Sequence, residues 1–199
     1  MPATVPTTTP RLSYTKLREL ITPYNLDTLK YPLFIVGIRG YYLNMLGAAG
    51  VNDRGIYDDA LFIVTPEGMI PFNANTDPSV YRKATATKKG IATLKPGIYY
   101  SHKFDYHNGT TLSYPAICQR LGHVTVTRDG MTGEFTGNYG INIHKGGLNT
   151  TSSEGCQTIH PTQWTSFYSL AKAQSLKHYG NEWNSTVVPY ILINNTGQV

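Results

Sequence analysis

The chain has 199 residues, of which 40 % are hydrophobic and 15 % are charged. This fits one well-packed domain and excludes a membrane span, because no segment approaches the ~18 consecutive apolar residues of a transmembrane helix. The formal charge of +5 permits attraction to anionic polymers. Basic residues cluster only around Lys88 and Lys89, without a recognisable nucleic-acid module, so we expect no nucleic-acid partner.

The N-terminal segment is rich in Pro and Thr, which disfavour both a helix and a packed face. We therefore predict a flexible tail over residues 1–11 and a single catalytic domain over residues 12–199. The tail lacks the basic start and apolar stretch of a signal peptide. Ser13 is predicted to cap a short helix that extends through Ile21.

Short apolar or alternating segments predict that most of the remaining chain is β-strand, consistent with its abundant Gly and Tyr. The predicted strands are 33–38, 60–64, 69–72, 97–100, 122–127, 134–136, 141–144 and 187–193. Residues 41–50 fit a helical turn or a strand equally well. One clear helix is predicted near 161–178, opened by Pro161 and carrying an aromatic stripe at helical spacing. The fold class is therefore mainly β, with a few peripheral helices.

The segment around His144 and Cys156 contains the residues best suited to chemistry. His144 ends a strand-like stretch in which Ile143 faces one side and Asn142 and His144 the other, which should direct the imidazole away from the core. A loop of small and polar residues follows. Gly155, directly before Cys156, should leave room for a carbonyl to approach the sulfur.

A thiol with an ordinary pKa of about 8.5 is mostly protonated at neutral pH, so a catalytic cysteine needs a base beside it. His144 is the candidate base for Cys156. Acyl transfer also needs donors for the developing oxyanion. We expect these donors to be backbone N–H groups of the loop, contributed by Ser153, Glu154, Gly155 and Gly146.

This pattern resembles the signature of the L,D-transpeptidase catalytic-domain family. His144 followed by Gly146 or Gly147, and then residues 153–156 (SEGC), is similar to its H-G…S-x-G-C motif, and residues 95–99 (KPGIY) are similar to its T-P-x-G-x-[FY] strand entry. The resemblance covers about residues 60–160. It implies an L,D-transpeptidase-like β-sandwich or barrel of short strands, with Cys156 as nucleophile, His144 as base and a backbone carbonyl just after His144 orienting the ring.

Three positions depart from the family pattern. The loop before Cys156 is shorter than usual, Lys145 replaces a Gly, and Gln157-Thr158 stands where the family has an apolar residue and then Arg or Asn. Gln157, Thr158 or Lys145 could replace the missing Arg as the contact for a substrate carboxylate. Tyr139 and His123 complete the candidate substrate-binding residues.

Other readings of the His and Cys residues remain open. Cys118 could pair with Cys156 in a disulfide, although simple burial of Cys118 is favoured. The HKFDYH segment, with His102, Asp105 and His107, could hold zinc together with His123 or His160, but no metal motif supports this and we predict neither metal nor cofactor. His160 is a reserve candidate for the base.

Three functions are compatible with these residues. The favoured one is a lysin-type peptidoglycan peptidase, as in a phage endolysin, that cleaves stem or cross-link peptides. The others are an L,D-transpeptidase that forms or exchanges cross-links, and a non-catalytic wall-binding or virion protein. For the lysin we expect a monomer that is made in a host cytoplasm and acts in the periplasm or cell wall after release.

Overall fold

The computed structural model describes residues 2–108 and 112–195. The chain is mainly β, with 31 % strand and 17 % helix, so the predicted fold class is confirmed. No helix within the described ranges is long and apolar enough to cross a membrane.

The described part of the chain contains two α-helices and twelve strands. The helices are α1 (Tyr14–Ile21) and α2 (Pro161–Tyr179), each followed by a short 3₁₀ turn. The strands are β1 (Phe34–Arg39), β2 (Asp59–Thr65), β3 (Gly68–Asn75), β4 (Ala92–Leu94), β5 (Gly97–Tyr99), β6 (His102–Asn108), β7 (Ser113–Gln119), β8 (Val124–Arg128), β9 (Phe135–Gly137), β10 (Ile143–Lys145), β11 (Gln157–Ile159) and β12 (Tyr190–Asn194).

Nine strands form one curled sheet in the order β5-β12-β1-β2-β3-β11-β10-β7-β6, and β4-β8-β9 form a smaller sheet. Most neighbouring strands are antiparallel, but β10 and β11 are parallel, as are β1 and β12. The parallel pair β10–β11 is joined by a loop of only eleven residues, 146–156. This short crossover brings the segments that carry His144 and Cys156 side by side.

Apolar side chains cover both faces of the centre of the large sheet. One core cluster lies between one face of the large sheet, the small sheet and α2, and includes Trp164 and Phe167. A second cluster lies on the opposite face under α1 and includes Leu17. Strand β2 is buried at every position because it is covered on both faces, which explains its continuous apolar sequence.

Both predicted helices are confirmed. The Ser13 side chain accepts a hydrogen bond from the Lys16 N–H at 3.1 Å, and α1 ends at Ile21. Helix α2 begins at Pro161 and buries its aromatic stripe as predicted. The predicted strands correspond to β1–β3, β5, β8–β10 and β12, with ends shifted by a few residues.

Strands β4, β6, β7 and β11 were not predicted. Strand β6 is at the edge of the sheet, a position that accommodates exposed His, Asp and Asn side chains. Its partner β7 contains Pro115. Both features obscure the apolar alternation that identifies a strand. Residues 41–50, left undecided between helix and strand, form turns.

The N-terminal segment differs from the expected flexible tail. It has no helix or strand, but the Ala3 N–H donates to Leu148 O at 2.7 Å and the Tyr57 N–H donates to Thr4 O at 2.9 Å. Ala3 and Pro10 are buried. The extended backbone of this segment thus packs against the domain through hydrogen bonds to residues far away in sequence.

Candidate active site

The register of β10 and β11 determines which side chains share a face. Ile143 lies opposite Gln157, and the Gln157 N–H donates to Asn142 O at 2.8 Å. Cys156, one residue earlier, is therefore aligned with Asn142. Directly opposed residues project from the same face of a sheet, and successive residues alternate between faces. Cys156 and His144 consequently share one face, while Gln157 projects from the other.

The Cys156 thiol is half-buried and has two polar contacts. Its Sγ accepts a hydrogen bond from the Asn142 N–H at 3.4 Å and donates to Gly140 O at 3.3 Å. Burial raises the pKa of Cys156 to about 11, against the opposing effect of the Asn142 N–H. At neutral pH the Cys156 side chain is therefore a neutral thiol.

His144 is held by the carbonyl that follows it. Its Nδ1 donates to Lys145 O at 2.8 Å, and the Tyr114 hydroxyl lies 3.0 Å from the same nitrogen and donates to Lys145 O. This bond assigns the proton to Nδ1 and leaves Nε2 as an acceptor. Within the described residues Nε2 has no hydrogen-bond partner. The resemblance implied such an orienting carbonyl.

The environment of His144 differs from the sequence expectation in one respect. The side chain is only 4 % exposed, although the alternation predicted that it would point away from the core. Edge strand β6 extends past it and covers the ring with His107. Burial, and then the neighbouring His107, lower the pKa of His144 to about 4, so the imidazole is neutral at physiological pH and able to accept a proton.

His107, Asn142 and Tyr114 belong to the site but were not predicted in these roles. The rings of His107 and His144 stack with centroids 4.1 Å apart. The Asn142 side chain donates from Nδ2 to His107 Nδ1 at 3.0 Å, while its backbone N–H contacts Sγ of Cys156. Asn142 thus links the second imidazole to the thiol.

The loop before Cys156 is braced by Ser153. Its Oγ accepts from the Gly155 N–H at 3.0 Å and donates to Cys156 O at 2.7 Å. The N–H groups of Gly155 and of Gly146, which donates to Ile159 O at 2.9 Å, are therefore occupied and are not free oxyanion donors. Within the part of the chain described, the N–H of Cys156 has no partner and remains available.

Gly155 and Glu154 also have roles other than those expected. Gly155 has φ +127°, and a Cβ there would lie 2.5 Å from Ala92 O. Glycine is needed at this position because the backbone is left-handed and packs against another strand, rather than to admit a substrate carbonyl. Glu154 is exposed and forms an ion pair with Arg82 at 3.0 Å.

Gln157 does not contact the space around the thiol. Its side chain is fully buried, donating to Gly155 O at 3.1 Å and accepting from the Tyr190 hydroxyl at 2.9 Å. The expectation that it binds substrate is wrong because it projects from the face opposite to Cys156. Thr158 projects from the same face as Cys156 but is also fully buried.

The remaining candidate substrate contacts lie nearer the surface. Lys145 is exposed and places its Nζ over the Tyr114 ring, 5.6 Å from the centroid. Tyr139 is half-buried beneath the Arg128 guanidinium. His123 is exposed. Of these, Lys145 is linked to His144 through Tyr114, whose hydroxyl lies 3.0 Å from His144 Nδ1.

The other His and Cys residues have structural surroundings. His102 is fully buried and its Nε2 donates to Ile141 O at 2.8 Å, whereas Asp105 pairs with Arg120. His160 contacts the Tyr57 ring edge-on and Thr162. Cys118 is buried, and both thiols are free. Among residues 2–108 and 112–195, no three His, Cys, Asp or Glu side chains converge as metal ligands.

No family model, curated protein or solved structure matches the chain.

Proposed function

We propose that the chain is a lysin-type peptidoglycan peptidase that cleaves stem or cross-link peptides through a Cys–His acyl-enzyme mechanism. One observation carries the proposal. A half-buried thiol at Cys156 shares a sheet face with His144, whose Nδ1 is bound by Lys145 O and whose Nε2 is free to accept a proton. Nucleophilic acyl transfer requires this combination of thiol and oriented neutral base.

The reaction begins with two neutral groups. As Sγ of Cys156 attacks the scissile carbonyl, Nε2 of His144 accepts the thiol proton. The new C–S bond converts the carbonyl to an oxyanion, and the unpaired N–H of Cys156 is the candidate donor for it. Collapse breaks the C–N bond, and the departing amine takes the proton from Nε2. Water, activated by the same nitrogen, then releases the acid and regenerates the thiol.

The contacts around Cys156 and His144 support a thiolate–imidazolium pair only while substrate is bound. The Asn142 N–H, 3.4 Å from Sγ, stabilises negative charge on the sulfur. The Lys145 carbonyl stabilises positive charge on His144, because a carbonyl oxygen that accepts from Nδ1 favours the imidazolium. Substrate binding excludes water and strengthens both interactions.

Wall peptides match the charge of the site. The stem peptides of peptidoglycan carry carboxylates, and the exposed Lys145 places its ammonium over the ring of Tyr114, whose hydroxyl contacts His144. The net charge of +5 favours approach to an anionic envelope. Since Gln157 and Thr158 are buried, Lys145 is the candidate among these three residues for binding a substrate carboxylate.

Digestion of purified peptidoglycan tests the proposal. The soluble fragments are identified by mass spectrometry after incubation with the parent chain, with Cys156→Ala and with the matched control Cys118→Ala. We expect new peptide carboxylates from the parent and the control, and at least a 10³-fold lower rate from Cys156→Ala. A parent chain that sediments with the wall but leaves every fragment unchanged is a wall-binding protein, and the proposal is then wrong.

A further inference from the structure

A row of buried polar side chains crosses three strands beside the active site. The register pairs Asp59 with Ala74 and Asn75 with Thr158. Continuing the antiparallel β2–β3 register by one residue places Asp58 opposite Asn75. Asp58, Asn75 and Thr158 are each fully buried and project from the same face, where cross-strand neighbours have Cβ atoms about 5 Å apart.

Every member of this row has an oxygen without a hydrogen-bond partner. These atoms are Asp58 Oδ1, Asn75 Oδ1 and Thr158 Oγ1, and the adjacent Asn52 Oδ1 is also buried and unpartnered among the described residues. A buried polar atom with no partner costs about 1–3 kcal/mol, so native structures rarely contain several together. The four oxygens therefore form a candidate site for a ligand that interacts with oxygen atoms.

Hydrogen bonds to Asp77 fix the orientation of both amides. Asn52 donates from Nδ2 to an Asp77 carboxylate oxygen, and Asn75 donates from Nδ2 to the Asp77 carbonyl. Rotating either amide would place two acceptors against each other, so the unpartnered atoms are oxygens. The second carboxylate oxygen of Asp58 is already bound, because it accepts from the Asp53 N–H at 2.9 Å.

The charge around the row is also unbalanced. Asp58, Asp59 and Asp77 are all buried, and of these three carboxyl groups only Asp77 forms an ion pair with the Arg39 guanidinium, at 3.2 Å. Asp59 is held by the N–H groups of Gly40 and Thr76 rather than by a cation. The cluster thus contains three carboxyl groups and one guanidinium group.

We propose that this row binds a hard cation such as Ca²⁺, with Asp58 Oδ1 and Asn75 Oδ1 as the central ligands and Asn52 Oδ1 and Thr158 Oγ1 on either side. The donors are carboxylate, amide and hydroxyl oxygens, which suit Ca²⁺ and not the soft N/S-liganded metals. Bound cation neutralises Asp58 and joins the segment containing Asn52 to the sheet. This role does not depend on the proposed peptidase activity.

Thermal unfolding of the full chain tests the site directly. The protein is freed of metal with EGTA, dialysed, and unfolded at increasing Ca²⁺ concentration, while calorimetric titration measures Ca²⁺ binding to the folded parent. At 100-fold excess over Kd we expect the midpoint to rise by about 5–10 °C. If millimolar Ca²⁺ causes neither a midpoint rise nor binding heat in the parent, the proposal is wrong.

Two variants and a control locate the site. Asp58→Asn should abolish the Ca²⁺ response, and Thr158→Val should weaken Ca²⁺ binding by about tenfold. Asp105→Asn, which removes a carboxylate outside the row, should retain the full response. If Asp58→Asn does not fold, Thr158→Val and the titration of the parent still test whether the row binds Ca²⁺. A Ca²⁺ response that survives in Thr158→Val and Asp58→Asn at full size would place the site elsewhere and overturn the proposal.

Discussion

The imidazole rings of His107 and His144 lie stacked, with centroids 4.1 Å apart and planes 10° from parallel. Two stacked imidazoles cannot both be protonated without strong repulsion, so His107 helps to keep the proposed base neutral. Because Asn142 donates to His107 Nδ1 and also contacts Sγ of Cys156, His107 further helps to position the groups that form the reacting pair. It is a positioning residue in the proposed mechanism.

Replacing His107 with Ala should lower kcat by about 10- to 100-fold with little change in KM, because the His144 ring loses its stacking partner. The pH profile should also change. A general base acts only when neutral, so kcat/KM falls as pH drops through its pKa, about 4 for His144. Without His107 that pKa rises, and the acidic limb should move towards pH 6.5. His178→Gln, in α2, is the control, and an acidic limb unchanged in His107→Ala would contradict this role.

The pH dependence of the alkylation rate at Cys156 should reflect its raised pKa, about 11. Iodoacetamide reacts with the thiolate, so the rate at Cys156 should rise about tenfold per pH unit between pH 7 and 10. Cys118 is fully buried and should stay unmodified in the folded protein. Peptide mapping by mass spectrometry separates the two sites. A pH-independent rate at Cys156 over this range would indicate a preformed thiolate and contradict the neutral resting pair.

Gly155→Ala should both destabilise the fold and reduce activity more than tenfold. The added Cβ would approach Ala92 O to 2.5 Å in a backbone with φ +127°, which displaces the adjacent Cys156. Gly133→Ala is the matched control, because its φ is +91° with nothing within 4 Å. In the control, backbone strain should lower the free energy of unfolding by only ~1–3 kcal/mol, and activity should be retained. Equal effects of the two substitutions in chemical unfolding and turnover would refute the packing role of Gly155.

Adding an acceptor amine tests whether the acyl-enzyme is hydrolysed or transferred to an amine. An acyl-enzyme is captured by an amine instead of water only when a pocket holds that amine in attack geometry. Gln157 and Thr158, which follow the nucleophile, are buried and offer no such contact. We therefore expect hydrolysis to exceed exchange when a D-amino acid is added at millimolar concentration. Exchange products in excess would identify a transpeptidase.

The adjacency of the segments carrying His144 and Cys156 was predictable because its signals are local. The alternation before His144, the short Gly-rich loop and Cys156 lie within sixteen residues, 141–156. A connection this short requires the two strands that it joins to lie close together. The same alternation contained a signal that was missed. Gln157 lies between Cys156 and Thr158, so in a strand it must face the opposite side, and its burial follows from that position.

His107, Asn142 and Tyr114 could not be assigned from sequence because the pairing of β6, β7 and β10 creates their contacts. His107 is 37 residues from His144 along the chain, and its strand has a polar, edge-type sequence. The packed N-terminal segment was missed for the same reason, since its hydrogen bonds join Ala3 to Leu148. Local propensity contains no information about such long-range partners.

The proposed mechanism depends most directly on a covalent bond between Cys156 and a wall peptide. Intact-protein mass spectrometry of an acid-quenched reaction with purified stem peptides would detect it. We predict an adduct with the mass of the acyl donor minus its leaving amine, mapped to Cys156 and absent from Cys156→Ser. Turnover of wall peptides without any adduct, together with full activity of Cys156→Ser, would contradict the central claim.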